Sequence, residues 1–131
     1  MAGDHTHARL QRIEKDVRDL SATVSVLAAV DSGAAKRRIE DTFGSDPRMA
    51  LIYRGVQAGL TQQQIATALH ERKLPLSSQP RVSESLVVLE ELRFIERPPK
   101  GKPFILPGWD AFGLERVLRK ALRASGVPDL D

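Results

Sequence analysis

The hydrophobic residues near the start of the chain recur with the spacing of a coiled coil. Steps of three and four positions alternate between them, and the series is Leu10, Ile13, Val17, Leu20, Val24 and Leu27. This heptad period places them on one narrow face of a helix, and its β-branched and leucine core positions favour a parallel two-stranded coil. We therefore predict an oligomerisation helix over residues 8–30, preceded by a disordered terminus at residues 1–7. The alternative is an amphipathic helix that packs against its own domain.

The hydrophobic pattern weakens over residues 31–45, where charged residues are mixed with few apolar ones. Gly33 and Gly44 lie at the edges of this stretch. We predict a linker here, or a loosely docked turn of helix. Its basic cluster, Lys36 to Arg38, is expected to be a solvated face rather than a phosphate site.

Helical periodicity returns at Asp46 and continues through three segments. Asp46 is a good N-cap, and Pro47 suits the first helical position. Thr61 and Gln64 match a capping box for the second helix, and an unusually long turn at residues 74–78 leads to the third. The residues predicted to face inward are Met49, Ile52, Tyr53 and Val56 in the first helix, Ile65, Ala66 and Leu69 in the second, and Val82, Leu86, Leu89 and Leu92 in the third.

Strand-like residues follow the third helix. Two short strand-like runs, Arg93 to Arg97 and Phe104 to Leu106, flank the segment PPKGKP, in which Gly101 supplies a turn. The pattern predicts a β-hairpin, and the body of the protein is predicted to span residues 46–108. The fold class is therefore mainly α with a small β-hairpin.

A C-terminal helix and tail are predicted over residues 109–131, with Asp110 as the helix cap. The apolar stripe of this helix consists of Leu114, Val117, Leu118, Ala121 and Leu122. Basic residues approximate a second stripe, formed by Arg116, Arg119, Lys120 and Arg123. This stripe is either a phosphate contact or a solvated face.

The order of these elements resembles a known family. The segments TQQQIATALHERK, RVSESLVVLEELRF and IERPPKGKPFIL are similar to the winged helix-turn-helix domains of small bacterial and archaeal regulators, most closely the multiple-antibiotic-resistance regulator family. In that family a VS pair, here Val82 and Ser83, opens the recognition helix, and an LExL…IER run closes it. The resemblance implies a DNA-binding winged helix, with the third helix in a major groove and the hairpin as a basic wing. It also implies transcription regulation.

Six residues are the candidate DNA contacts under this interpretation. Those at the N-terminal end of the third helix are suited to base or phosphate contacts, and those of the wing are suited to phosphates. The six are Gln79, Arg81, Ser83, Arg97, Lys100 and Lys102. We expect a homodimer, coupled through the coil, that binds two half-sites on double-stranded DNA.

The outward face of the third helix favours a different function. Glu84 occupies a position where the resembling proteins commonly carry a basic or polar residue, and a carboxylate near phosphate is repelled. Val87, Val88 and the acidic residues beside them would instead suit a protein partner. The alternative hypothesis is therefore a winged-helix assembly module, or an accessory subunit of a DNA-processing complex, that docks through this face.

Charge and composition narrow the classes of function that remain possible. The formal net charge is +3. Residues 72–123 hold eleven Lys/Arg and six Asp/Glu, an excess of five positive charges (11 − 6). This excess lies where the wing and the last helix are predicted. Cysteine is absent, and no phosphate loop, nucleophile elbow or metal-ligand spacing is present, so we expect neither catalysis nor a cofactor. His5 and His7 are not expected to bind metal. No apolar run approaches the roughly 20 residues of a membrane span, and a soluble, cytoplasmic protein is expected.

Overall fold

The computed structural model describes residues 32–130 of the chain. The predicted coiled-coil helix at 8–30 and the terminus at 1–7 lie outside the described residues. Within the described part the protein is mainly helical with one two-stranded antiparallel sheet, which confirms the predicted fold class at that level. The elements are α1 (Ser32–Phe43), α2 (Pro47–Gln57), α3 (Gln62–Glu71), α4 (Gln79–Glu91), β1 (Ile95–Glu96), β2 (Phe104–Ile105), a 3-10 helix (Trp109–Phe112) and α5 (Leu114–Ser125).

The linker predicted over residues 31–45 is wrong, because helix α1 occupies most of that region. The alternative, a loosely docked turn of helix, is nearer to the structure, although α1 has 12 residues and packs against α2 and α5. Ala35, Ile39 and Phe43 recur every four residues along α1, and all three are fully buried. The Phe43 ring packs edge-on against Tyr53 and Phe94, with centroid distances of 5.3 and 5.0 Å. Three apolar positions make too narrow a stripe to stand out in a charged sequence, and only the tertiary packing reveals their role.

Helices α2 and α3 begin with the caps that the sequence predicts. The Asp46 side chain accepts a hydrogen bond from the Met49 amide at 3.0 Å. Thr61 and Gln64 bond reciprocally, each side chain accepting from the backbone amide of the other. The predicted inward faces of both helices are buried. Helix α2 is the centre of the fold, since it packs against α1, α3, α4 and α5.

Glycine at position 55 sets the distance between α2 and α3. A Cβ atom at Gly55 would lie 2.6 Å from Cγ1 of Ile65, which is closer than packed carbon atoms approach. The absence of a side chain at this position therefore allows the two helices to pack closely.

The hairpin follows α4 and packs against it. Val82, Leu86 and Leu89 of α4 are buried as predicted, whereas Leu92 is half-buried. Strand β1 pairs with β2 in the register Ile95 with Ile105 and Glu96 with Phe104. The intervening loop, residues 97–103, contains Gly101 at a φ of 104°, a conformation that glycine adopts at no steric cost.

The start of α5 differs from the prediction. Asp110 lies inside the 3-10 helix rather than capping α5, which begins after Gly113 without a side-chain cap. The buried Trp109 explains the extra turn, because its indole Nε1 donates to the Arg93 carbonyl at 2.9 Å and its ring packs 4.3 Å from that of Phe94. The predicted apolar stripe of α5 is confirmed: Leu114, Leu118, Ala121 and Leu122 are buried, and Val117 is half-buried.

Candidate nucleic-acid interface

The N-terminal end of α4 carries two exposed candidate contacts, Gln79 and Arg81. Gln62, at the start of α3, donates from Nε2 to the Gln79 carbonyl at 3.1 Å and so joins the two helices. Arg81 forms an ion pair with Glu84, with 3.2 Å between Nη1 and Oε2. Because both side chains are more than half exposed, this pair is weak. The Arg81 guanidinium is therefore free to exchange Glu84 for an anionic partner.

Ser83, the third candidate on α4, is joined to the hairpin by Arg97. The Arg97 Nη2 atom lies 3.4 Å from the Ser83 hydroxyl oxygen, and the Arg97 amide donates to Glu90 Oε2 at 3.1 Å. Ser83 and Arg97 are both half-buried. The structure thus brings these two candidates together where the hairpin meets α4, and it fixes the base of the loop relative to the helix.

Lys100 and Lys102 lie at the tip of the loop, on either side of Gly101, and both are exposed. The loop sequence, RPPKGKP, contains no acidic residue, so neither lysine is neutralised within it. Three prolines restrict the backbone of residues 97–103 because each ring fixes φ. The loop therefore presents two cations on a short and conformationally restricted segment.

The outward face of α4 is partly apolar, as the alternative hypothesis requires. Val87 is 37% exposed and Val88 is 43% exposed. Val88 and Leu92 line a groove of about 620 Å³ whose other wall includes Arg37 and Arg38 of α1. This groove lies beside α4 and combines apolar side chains with basic and acidic ones, since Asp41 and Asp46 also line it.

Arg48, in the first turn of α2, holds the turn before α4 in place, and the sequence analysis missed it. Its guanidinium donates to the carbonyl oxygens of Pro75, Leu76 and Arg81, at distances from 2.8 to 3.1 Å, and to the Ser85 hydroxyl at 2.6 Å. Burial lowers the pKa of Arg48 from its ordinary value. The long turn at residues 74–78 was the available signal, because backbone carbonyls that are not paired in a helix need other donors.

Arg54 performs a similar joining role between α2 and α5. Its guanidinium donates to both carboxylate oxygens of Glu115, and its Nε donates to Asp129 in the C-terminal tail at 3.1 Å. The hydrogen bond with Arg54 lowers the pKa of the Glu115 carboxyl. The charge of Glu115 is compensated by Arg54 and by Arg119, whose Nη2 lies 3.4 Å from Glu115 Oε2. The exposed surface of α5 beside it is basic, formed by Arg116, Arg119, Lys120 and Arg123. These four side chains border a groove of about 710 Å³.

Within residues 32–130, no group of three or more His, Asp or Glu side chains is arranged to hold a metal ion. His5 and His7 lie outside the described residues, and His70 is exposed in the last turn of α3. None of the helices described has both the length and the apolar character needed to cross a membrane.

Comparison with protein-family models, with curated proteins and with solved structures finds no match to this chain.

Proposed function

We propose that the protein is a dimeric winged-helix DNA-binding protein that acts as a transcriptional regulator. The observation that carries this proposal is the hairpin loop, in which Lys100 and Lys102 are exposed with no acidic residue among residues 97–103. Neutralising phosphates with lysine releases the counterions condensed on the duplex, and this release drives binding. A short basic loop of this kind fits a minor groove or a row of phosphates.

Helix α4 supplies the second part of the proposed interface. Gln79 and Arg81 are exposed at its N-terminal end, which is the end that contacts base edges in helix-turn-helix complexes. Gln79 is suited to bidentate bonding with adenine, and Arg81 is suited to phosphate. Arg97 and Ser83 hold the hairpin against α4 through the bond described above. Both remain candidate contacts at the junction between the helix and the wing.

The proposed dimer forms through the heptad residues from Leu10 to Leu27. Two linked DNA-binding units gain affinity because binding of the first raises the effective concentration of the second at its half-site. We include a cytoplasmic location in this proposal, because the DNA that a bacterial or archaeal regulator binds lies in the cytoplasm. No cofactor and no catalytic step form part of it.

The proposal is tested with two double variants that change charge equally. Lys100→Glu with Lys102→Glu reverses both loop cations, and Lys36→Glu with Arg37→Glu makes an equal change in charge at exposed residues of α1. Affinity for a labelled random-sequence duplex is measured at low salt. We expect the loop variant to lose at least about a hundredfold in affinity and the control to lose much less. Equal losses in the two variants would show that net charge alone governs binding and would refute the assignment of the loop.

A second candidate function is supported by the exposure of Val87 and Val88. In this alternative α4 docks a protein partner through these residues and the neighbouring Glu91, and the protein is an assembly module or an accessory subunit of a DNA-processing complex. Val87→Glu discriminates the two functions. It should abolish an assembly function, whereas DNA binding dominated by the loop lysines should be only mildly weakened.

A further inference from the structure

Three non-glycine residues in the described part of the chain have a left-handed backbone, and two of them have an ordinary cause. Lys73 and Arg93, with φ of 58° and 68°, follow the ends of α3 and α4. At both places the next residue closes the helix: the Leu74 amide donates to Leu69, and the Phe94 amide donates to Leu89. This is a common helix-ending motif. The third residue, Leu76, has a φ of 52° and does not follow a helix end.

The conformation of Leu76 is unfavourable in two respects. A left-handed backbone brings the leucine Cβ close to a carbonyl oxygen, and leucine has no polar group that could compensate by bonding locally. In addition, Leu76 is 55% exposed, which makes it the most exposed large hydrophobic residue in the described part of the chain. A strained backbone persists only where the surrounding structure fixes it, and such residues cluster at binding sites.

Arg48 fixes this conformation. Its Nη2 and Nε atoms donate to the Leu76 carbonyl oxygen at 2.8 and 3.1 Å. The same guanidinium bonds to the Arg81 carbonyl at 3.1 Å and to the Ser85 hydroxyl at 2.6 Å. One side chain therefore holds Leu76 at a set position relative to the first turns of α4. Since its donors are directed at these uncharged oxygens, Arg48 is not placed as a phosphate contact.

We propose that Leu76 is an apolar contact residue for duplex DNA, and that Arg48 is the residue that positions it beside Gln79 and Arg81. This inference rests on the proposed function, because it assigns the surface around the N-terminus of α4 to DNA. The chemistry that an exposed leucine recognises on a duplex is a thymine methyl group or the carbon atoms of a deoxyribose. Leu76 adds apolar contact at the edge of an otherwise polar and cationic surface.

The test compares Leu76→Gly with Leu76→Met in the full-length protein, using a labelled duplex of random sequence. Glycine removes the side chain and accepts the left-handed backbone without strain, whereas methionine keeps an apolar side chain of similar volume. We expect the glycine variant to bind about fivefold more weakly for each protomer in contact with DNA, because the variant loses the burial of the exposed half of the leucine side chain. Its thermal midpoint should not fall by more than about 2 °C. The methionine variant should bind like the wild type. A glycine variant that binds as tightly as the wild type would overturn the proposal, as would a methionine variant that loses as much as glycine.

Arg48→Lys tests the positioning role separately. Lysine keeps the charge but cannot supply the planar fork of donors that spans the turn and α4. We expect weaker duplex binding with an unchanged dependence on salt, because no phosphate contact is lost. Arg48→Gln, which removes the charge, should leave the salt dependence unchanged as well. A dependence reduced by about two released ions per dimer in Arg48→Gln would identify Arg48 as a direct phosphate contact and refute its positioning role, as would wild-type affinity in Arg48→Lys. If the wild-type protein itself does not bind the duplex, the proposed function fails; if it binds and Leu76→Gly binds equally well, only this inference fails.

Discussion

Replacing Phe43 with alanine tests whether α1 is an integral part of the fold. Phe43 is 0% exposed, so its whole ring is removed from the core. Truncating a buried phenylalanine to alanine costs about 3–5 kcal/mol, a figure that includes the cavity left behind. This range already includes the loss of the two edge-on ring contacts, with Tyr53 and Phe94. We therefore expect a loss of about 4 kcal/mol in the free energy of unfolding.

Chemical denaturation followed by circular dichroism measures this change. Phe43→Leu fills most of the same volume and should cost no more than about 1.5 kcal/mol. Lys36→Ala, at an exposed position of the same helix, is the control and should change the free energy of unfolding by less than about 0.5 kcal/mol. A loss below about 1 kcal/mol for Phe43→Ala, close to that of the control, would refute the packing of α1 and restore the interpretation of residues 31–45 as a linker.

Two further predictions concern other parts of the chain. The hydrogen bond with Arg54 lowers the pKa of Glu115. This interaction therefore stabilises the fold fully at pH values above the ordinary glutamate pKa of 4.5, and the stabilisation is lost as the pH falls through the lowered pKa. Glu115→Gln should therefore weaken the decline in thermal midpoint over this acidic range, and an unchanged decline would contradict the role of the pair. The heptad series predicts that Val17→Asp with Leu20→Asp converts a dimer to a monomer in sedimentation equilibrium, because each carboxylate would be buried in the apolar seam. A variant that sediments as a dimer would favour the alternative in which this helix packs on its own domain.

Local signals explain why much of the body could be predicted. The Asp46 cap, the Thr61 and Gln64 capping box and the hairpin around Gly101 all depend on residues within a few positions of one another. Each was found in the structure. The inward faces of the longer helices follow from periodicity, which a single sequence records directly.

The errors and omissions involve residues distant in sequence. The Arg48 side chain bonds to partners 27 to 37 positions away, and no local pattern encodes that separation. Asp110 resembles a helix cap, but the burial of Trp109 against Phe94 determines where α5 begins. The candidate DNA contacts show the same difference between local and long-range signals. Lys100 and Lys102 are exposed as predicted, whereas Ser83 and Arg97 are drawn together at the junction between α4 and the hairpin.

The salt dependence of duplex binding by the full-length protein is the most direct test of the central claim. If Arg81, Lys100 and Lys102 of each protomer neutralise phosphates in a dimer, six contacts form, and the logarithm of the association constant should fall with the logarithm of salt concentration at a slope of about −5. A steep slope near this value is the result that phosphate neutralisation by the loop and α4 predicts. Absence of binding at low salt would contradict DNA binding and favour the assembly function of the Val87 and Val88 face. Binding that is independent of salt would refute phosphate neutralisation by the loop and α4.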